Sequence, residues 1–280
     1  MYRFWMCFSL LLFGLFMGNA TRGVQGDIAA GDSAWKSIAS GVEIRYFPIP
    51  KEYGRGTVVV ARLEPRMLRF NVYSIKQLGS EKLTVVEWAR RYQLVAVINA
   101  GMYLTDHRTH VGYLKHFDFV DNPRPVRQYF SAAAFNPGKK GLPPFRIFDL
   151  DEVPLDTVIQ QYHTVIQNLR LIKRPGINRW SPKNQKAWSV TALGEDRQGR
   201  VLFIFCATPL PMFTFNRILL SLPLDLVTAQ YLEGGPEASL YVCGNQDTVR
   251  LMGGMESGEW KNVAPEKFLP LPVVIGVKFR

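Results

Sequence analysis

The amino-acid sequence predicts an α+β fold, with a large mixed or antiparallel sheet and a few helices packed against it in a single domain. Three observations lead to this prediction. Segments with strand character outnumber segments with helical character, several strands are continuous apolar runs, and only two segments are predicted helices. With 280 residues and 47% hydrophobic content, the chain can bury one large core without disulfide support.

The first 20 residues predict a secretory signal peptide. Arg3 precedes an apolar run at residues 4–17, and small residues follow at 18–20. The run of about 14 residues is shorter than the roughly 20 that a membrane-spanning helix needs, so an uncleaved anchor is the less favoured alternative. We therefore expect an exported, periplasmic or secreted chain with no integral membrane span after cleavage, a linker at residues 21–34 and one domain at residues 35–280.

The domain is predicted to begin with strands. They cover residues 42–46, 57–63 and 68–75. The last two are expected to pair as a hairpin around residues 64–66.

A helix and a buried strand follow. Thr84 and Glu87 have the spacing of a capping box at the start of an amphipathic helix that ends at Tyr92. The apolar run at residues 94–98 predicts a strand buried on both faces, and residues 99–103 are expected to emerge at the rim of the core.

The second half of the chain is predicted to be mostly strands, two of which lie within a segment rich in proline and polar residues at 123–182. The predicted elements are weak strands at 145–148 and 165–172, a hairpin of 188–193 with 201–206, a helix at 214–221 that ends before Pro223, and strands at 226–232 and 238–243.

Two strand ends place glycine beside an amide or a carboxylate. The residues are Asn99, Gly101 and Tyr103 after the first strand, and Glu233, Gly234, Gly235 and Glu237 after the second. Glycine lets backbone N–H groups approach a ligand closely, and consecutive N–H groups can form an anion-binding nest. A plain tight turn at residues 234–235 is the alternative.

A third candidate is the polar group Gln167, Asn168 and Arg170 in the predicted strand 165–172. An arginine fork beside an amide suits an anionic substrate, because guanidinium groups bind phosphate with two parallel hydrogen bonds. A solvated edge strand is the alternative explanation.

Three segments resemble motifs of the phosphodiester glycosidase family. Residues 99–103 (NAGMY) are similar to an NAGYF-like segment, residues 192–202 to a hairpin with AIG and DG, and residues 232–238 to an LDGGGSS segment. Their order and separations agree over about residues 90–280. The chain departs from the family by having Glu233 in place of aspartate and different residues at 236–238.

The resemblance implies an enzyme that hydrolyses a sugar-1-phosphodiester. On this basis Glu233 is the expected base or stabiliser of the cationic sugar, Asn99 a positioning amide, and Asp106 or Glu237 the second carboxylate. The expected substrate-binding residues are Gln167, as a partner of a sugar hydroxyl, Asn168, Gly101 and Tyr103, with Arg170, Gly234 and Gly235 facing the phosphate. The alternative is a non-catalytic glycan-binding or exopolysaccharide-assembly protein that keeps the fold.

The charge balance favours an anionic partner. The chain has 34 Lys and Arg against 23 Asp and Glu, a net charge of +11. Export and the lack of a basic-aromatic recognition motif oppose nucleic acid as this partner. We expect an anionic, phosphate-bearing glycan and no cofactor.

Three of the four histidines cluster after residue 103. His107 and His110, with Asp106 or Asp118, are a possible metal-ligand set, but their spacing matches no strong template. A polar loop bordering the active site is the favoured interpretation, and no metal is predicted.

Two further residue types leave alternatives open. Cys206 and Cys243 are either a disulfide or two buried thiols. Among the tryptophans, Trp88 is expected in the core, and Trp180 is the better candidate for stacking on a sugar ring.

Overall fold

The structure, a computed structural model, describes residues 34–244, 247–254 and 263–280. Its strands are β1 (Lys36–Ala39), β2 (Val42–Pro48), β3 (Thr57–Leu63), β4 (Leu68–Ser74), β5 (Ala96–Asn99), β6 (Leu114–His116), β7 (Phe119–Asn122), β8 (Ser131–Pro137), β9 (Phe145–Asp149), β10 (Tyr162–Asn168), β11 (Arg170–Lys173), β12 (Ile177–Asn178), β13 (Ala187–Asp196), β14 (Val201–Pro211), β15 (Leu226–Gly234), β16 (Ser239–Cys243), β17 (Thr248–Met252) and β18 (Val273–Phe279). The helices are α1 (Ile75–Leu78), α2 (Val85–Tyr92), α3 (Leu155–Gln161) and α4 (Met212–Ser221), with 3-10 turns at Lys51–Tyr53, Gly235–Glu237 and Pro265–Lys267.

The strands form three antiparallel sheets. The first has eight strands in the order β1-β2-β3-β14-β13-β15-β11-β12, the second has the order β7-β6-β10-β8-β9, and the third has the order β17-β16-β5-β18-β4. This arrangement confirms the predicted α+β class, with the strands divided among one large and two smaller sheets.

The inner faces of all three sheets share one core. Side chains such as Phe203 of the first sheet, Phe135 of the second and Ile275 of the third belong to the same buried cluster. Each outer face is covered by a helix: α4 packs on the first sheet, α3 on the second and α2 on the third. Most strands are therefore buried on both sides, which explains their continuous apolar sequences.

The predicted capping box and buried strand are confirmed. The Thr84 hydroxyl accepts the Glu87 N–H at 3.2 Å, and the Glu87 carboxylate accepts the Thr84 N–H at 2.8 Å. In β5, Ala96 and Ile98 face the shared core while Val97 packs against α2. The strand ends at Asn99 in the interior, where the three sheets approach one another.

The predicted hairpin of residues 57–63 and 68–75 is wrong. β3 pairs with β2 and β14 in the first sheet, whereas β4 pairs with β18 in the third. The turn between them, in which the Met67 N–H donates to the Glu64 carbonyl at 3.0 Å, carries the chain from one sheet to the other. β3 is apolar on both faces, whereas β4 directs Leu68, Phe70 and Val72 into the shared core and has Arg69 and Asn71 on its other face.

The predicted strand at residues 165–172 is two strands. β10 ends at Asn168 in the second sheet, and β11 begins at Arg170 in the first. The carbonyl of Leu169 between them accepts the N–H of Tyr231 from β15 at 2.8 Å. Gln167, Asn168 and Arg170 therefore do not share one strand.

The structure also tests the hairpin, the second helix and the cysteines. The β13–β14 hairpin is confirmed, and α4 begins two residues earlier than predicted. Cys206 and Cys243 are both free thiols, and burial raises the pKa of Cys206 to about 12.

Within the residues that the structure describes, no helix combines the length and apolar character needed to cross a bilayer. The predicted signal peptide, and all of the predicted linker except Ala34, lie outside the described residues.

Candidate active site

The site is built around the carboxyl group of Glu233, near the end of β15. Thr191 of β13 is its antiparallel partner, and the Gly234 N–H donates to Glu233 Oε1 at 3.0 Å. Burial is the main cause that raises the pKa of Glu233 to about 7, and the charge of Glu237 adds to it, while the Gly234 N–H acts in the opposite direction. This carboxyl group can therefore hold or release a proton near neutral pH.

Asn99 connects the third sheet to the strand that carries Glu233. Its Oδ1 accepts hydrogen bonds from the Thr191 hydroxyl at 2.9 Å and the Ser239 N–H at 3.1 Å. The Thr191 hydroxyl also lies 3.1 Å from the carbonyl oxygen of Glu233. Asn99 Nδ2 is buried without a hydrogen-bond partner among the described residues, so both N–H donors of this amide are unused.

Glu237 and Tyr103 bring the two predicted glycine-containing segments together. The Tyr103 hydroxyl donates to Glu237 Oε1 at 3.3 Å. Burial, followed by the charges of Glu237 and Glu233, raises the pKa of Tyr103 to about 12. The fold thus brings three of the predicted site residues, Glu233, Glu237 and Tyr103, close together.

Two further tyrosines, Tyr129 and Tyr231, lie beside Glu233. Burial raises the pKa of Tyr129 and of Tyr231, and the charge of Glu233 raises both further. Together with Tyr103, they keep their hydroxyl protons at neutral pH. These three tyrosines are therefore neutral groups beside the two carboxyl groups of Glu233 and Glu237.

Two glycines are required by close packing. At Gly101, where φ is +149°, an added Cβ would overlap Asn168 Oδ1 and the His110 ring. At Gly234, an added Cβ would overlap the Trp188 ring and the Tyr231 hydroxyl. Gly235 follows in the turn Gly235–Glu237, with a left-handed φ of +64°. The strand end thus has no room for any other side chain at Gly234.

One family of proteins matches the part of the chain that contains these residues. The model described as phosphodiester glycosidase matches residues 92–278, a span that includes Asn99, Tyr103, Glu233 and Glu237. The chain belongs to the phosphodiester glycosidase family.

Solved structures of two proteins share the fold of this family member. A hypothetical protein from Synechocystis is 14% identical with a TM-score of 0.62, and the match covers 88% of this chain and 64% of that chain. The zebrafish N-acetylglucosamine-1-phosphodiester alpha-N-acetylglucosaminidase catalytic domain, auto-inhibited by its pro-peptide, is 12% identical with a TM-score of 0.58, covering 88% of this chain and 86% of that one. No curated protein matches the chain.

In this family member, Asn168 supports the residue next to Asn99. Its Nδ2 donates to the Ala100 carbonyl at 2.9 Å, and its side chain is completely buried. Its Oδ1 has no hydrogen-bond partner in the described part of the chain.

The side-chain amide of Gln167 is fully used inside the protein. Its Oε1 accepts the N–H groups of Tyr113 at 3.2 Å and Val126 at 2.9 Å, and its Nε2 donates to the carbonyls of Val126 and Tyr129, both at 2.9 Å. A sugar hydroxyl could bind this amide only in place of one of these partners. The geometry makes Gln167 a positioning residue for the loop that carries Tyr129.

Arg170 lies in an ion-pair cluster. Its Nη1 is 3.1 Å from Asp149 and 2.6 Å from Asp151, and its side chain is 9% exposed. The charged group that perturbs the pKa of Glu233 is Glu237, not Arg170. The positive charge of Arg170 is therefore already offset by two carboxylates.

Asp106 organises an exposed turn. Its carboxylate accepts the N–H groups of Arg108 and Thr109, both at 2.9 Å, and the Thr109 hydroxyl at 2.6 Å. These bonds hold the pKa of Asp106 at about 2, and neither glutamate is among the groups that perturb it. Asp106 is thus ionised at neutral pH, and the structure does not pair it with Glu233.

The histidines are distributed between the interior and the surface. Burial lowers the pKa of His110, whose Nε2 lies 3.1 Å from the Gln167 carbonyl, and His107 is exposed with its ring 5.6 Å from that of Tyr103. Burial also lowers the pKa of His116, to about 4. In the described ranges, no group of three or more His, Cys, Asp or Glu residues is arranged to hold a metal ion.

Sequence reasoning missed Thr191, Tyr129 and Tyr231. Tyr231 had no usable signal, because the register of β15 against β13 shifts between Tyr231 and Glu233, which interrupts the alternation of faces along the strand. Tyr129 had none, since it reaches the site through a loop that Gln167 holds in place. Thr191 depends on the pairing of β13 with β15, which local patterns do not give.

We expect Gln167→Glu to loosen the loop that carries Tyr129. The carboxylate removes both donors and sets negative charge against the carbonyls of Val126 and Tyr129. Loss of these buried bonds should speed hydrogen exchange at the Val126 amide by about tenfold or more. The matched control is Gln161→Glu, because the Gln161 side chain makes no hydrogen bond among the described residues. Equal protection of Val126 in both variants would contradict the positioning role.

Proposed function

We propose that this chain is an exported hydrolase that cleaves the glycosidic C–O bond of a sugar-1-phosphodiester in an envelope glycan or exopolysaccharide. The observation that carries the proposal is the carboxyl group of Glu233, with a pKa near 7, beside the second carboxylate of Glu237. Membership of the phosphodiester glycosidase family supports a glycosidase-type reaction. The name of the zebrafish relative, an N-acetylglucosamine-1-phosphodiester glycosidase, supports the type of linkage.

In the proposed reaction, Glu233 acts as the base. Cleavage of the C–O bond passes through a state with positive charge on the sugar ring. The Glu233 carboxylate takes a proton from the attacking water, and the nearby negative charge of Glu237 stabilises the cationic sugar. The bond between the anomeric carbon and the phosphate oxygen breaks, and its electron pair leaves with the phosphate.

The tyrosines suit the departing phosphate. The hydroxyls of Tyr103, Tyr129 and Tyr231 stay protonated beside Glu233. Those of Tyr129 and Tyr231 can donate hydrogen bonds to phosphate oxygens, whereas the Tyr103 hydroxyl donates to Glu237. A phosphomonoester is a good leaving group, so little protonation is required. Asn99 acts through Thr191, holding β15 and its carboxyl group in register with the third sheet.

Export and the envelope setting are supported by sequence features. The first 20 residues have the pattern of a signal peptide, and the net charge of +11 suits an anionic polymer as partner. The sugar-1-phosphodiester would then be part of a glycan outside the cytoplasm.

A non-catalytic glycan-binding or exopolysaccharide-assembly role is the second candidate. It is favoured by the pairing of Arg170 with two aspartates, which leaves the phosphate without that cation. The Pro-Glu-Ala sequence at residues 236–238, where the family motif has Gly-Ser-Ser, favours it as well.

Glu233→Gln should distinguish the two candidates. Incubation of wild-type protein with a panel of sugar-1-phosphodiesters should release free sugar, and the variant should lose turnover by about 100-fold or more because the amide cannot accept the proton. The matched control, Glu266→Gln, changes an exposed glutamate in the distant turn Pro265–Lys267 and should keep wild-type activity. Release of sugar at equal rates by both variants would remove Glu233 from the mechanism.

The pH dependence of kcat/KM should follow the ionisation of Glu233. The base must be deprotonated, so activity should rise with pH through about 7. The negative charge of Glu237 raises this pKa, and Glu237→Gln should therefore move the rising limb to lower pH. An unchanged limb, or one moved to higher pH, would exclude the proposed coupling of the two carboxyl groups.

A further inference from the structure

A groove beside the active site contains two aromatic rings and several polar side chains that the proposed reaction does not use. Its volume is about 520 Å³, within the size range of ligand-binding clefts. It is lined by Gln128, Phe130, Asp151, Leu169, Arg170, Arg179, Trp180, Ser181 and Asn184. We call this feature the Trp180 groove.

The ring of Trp180 is held rigidly. Its Nε1 donates to the Arg170 carbonyl at 2.7 Å, and its backbone N–H donates to Asn178 Oδ1 at 3.1 Å. Asn178 is itself fixed, because its Nδ2 donates to the Phe213 carbonyl at 3.1 Å. A partly exposed aromatic ring that is fixed in this way presents a flat apolar face with little loss of side-chain entropy on binding.

The second aromatic ring of the groove is Phe130, whose side chain is 44% exposed. The exposed polar side chains of Gln128, Ser181 and Asn184 also line the groove. Flat apolar faces interleaved with hydroxyl and amide groups match a sugar ring, which has an apolar C–H face and a rim of hydroxyls. Such walls are too polar for a fatty chain.

The charges of the groove favour an anionic group. Asp151 is already bonded to Arg170 and Lys173, at 2.6 and 2.9 Å. The exposed guanidinium of Arg179, in contrast, forms no salt bridge within the described residues. Arg179 is therefore the available cation of the groove, and a guanidinium fork suits phosphate.

The groove begins close to Glu233. The Leu169 carbonyl in its wall accepts the Tyr231 N–H, and Tyr231 precedes Glu233 by two residues on β15. Two residues of a strand span at most roughly 7 Å, and the register shift between Tyr231 and Glu233 makes this interval no longer than that. A glycan that places its reactive bond at Glu233 can therefore reach the groove with an adjoining unit.

We propose that the Trp180 groove binds a further, phosphate-bearing saccharide unit of the substrate, so that the preferred substrate class is a polymer of phosphate-linked sugars. Trp180 and Phe130 contact the sugar ring, and Arg179 contacts the phosphate. The inference rests on the proposed function for its biological meaning, but binding in the groove can be measured without turnover.

The test uses the full chain carrying Glu233→Gln, so that hydrolysis does not interfere. Calorimetric titration employs synthetic oligomers of N-acetylglucosamine joined 1→6 through phosphodiesters, as methyl esters with one, two or four units. We expect the four-unit oligomer to bind at least about tenfold more tightly than the one-unit ester. Phe130→Ala and Trp180→Ala should each remove about tenfold of the affinity for the four-unit oligomer, and Arg179→Gln should weaken its salt dependence.

The control variant is Phe117→Ala, because Phe117 is 43% exposed and lies outside the groove. It should bind all oligomers as the parent does. Since Phe130 is similarly exposed, its removal tests the groove even where Trp180→Ala fails to fold.

Three results would overturn the proposal: equal affinity for one and four units, unchanged binding by Phe130→Ala, or equally tight binding of inorganic polyphosphate with the same number of phosphates. Failure of the proposed function has a different signature. The proposed function fails if the wild-type chain releases no sugar from the oligomers, and this result does not depend on how the groove variants bind them.

Discussion

The Thr191 hydroxyl holds the site together, because it connects Asn99 of the third sheet to the strand of Glu233 in the first. It lies within 3.1 Å of both the Asn99 side-chain oxygen and the Glu233 carbonyl. In a buried setting such bonds are costly to lose, since each unpaired partner keeps its desolvation penalty. The contact of the two sheets at this hydroxyl therefore fixes the position of the Glu233 carboxyl group. The loop that contains Tyr103 follows β5 and lies beside the same carboxyl group.

Burial of Glu233 connects the fold to its chemistry. The packing that covers the end of β15 raises the pKa of this carboxyl group to about 7, and the same packing keeps Tyr103 and Tyr231 protonated. The result is a proton acceptor that lies beside a second carboxylate, Glu237, and beside tyrosines that stay neutral. The cation expected from the sequence, Arg170, is instead paired with Asp149 and Asp151, and the available charge lies farther along the groove at Arg179.

Local patterns were sufficient to predict the class of fold, the capping box at Thr84 and the segments that contain Asn99 and Glu233. They failed where one apolar run serves two sheets, as at residues 165–172, because apolar strands buried on both faces carry no mark of the sheet they join. The same limit hid Thr191, whose role depends on strand pairing. Gln167 was found by its residue type, but only the structure shows that four backbone groups already occupy its amide.

The fold holds Glu233 as a carboxyl group that can exchange a proton at neutral pH. A direct measurement is the titration of its side-chain carboxyl carbon by NMR, assigned by the loss of the signal in Glu233→Gln. We expect a midpoint near 7. A midpoint near the ordinary value of 4.5 would contradict it.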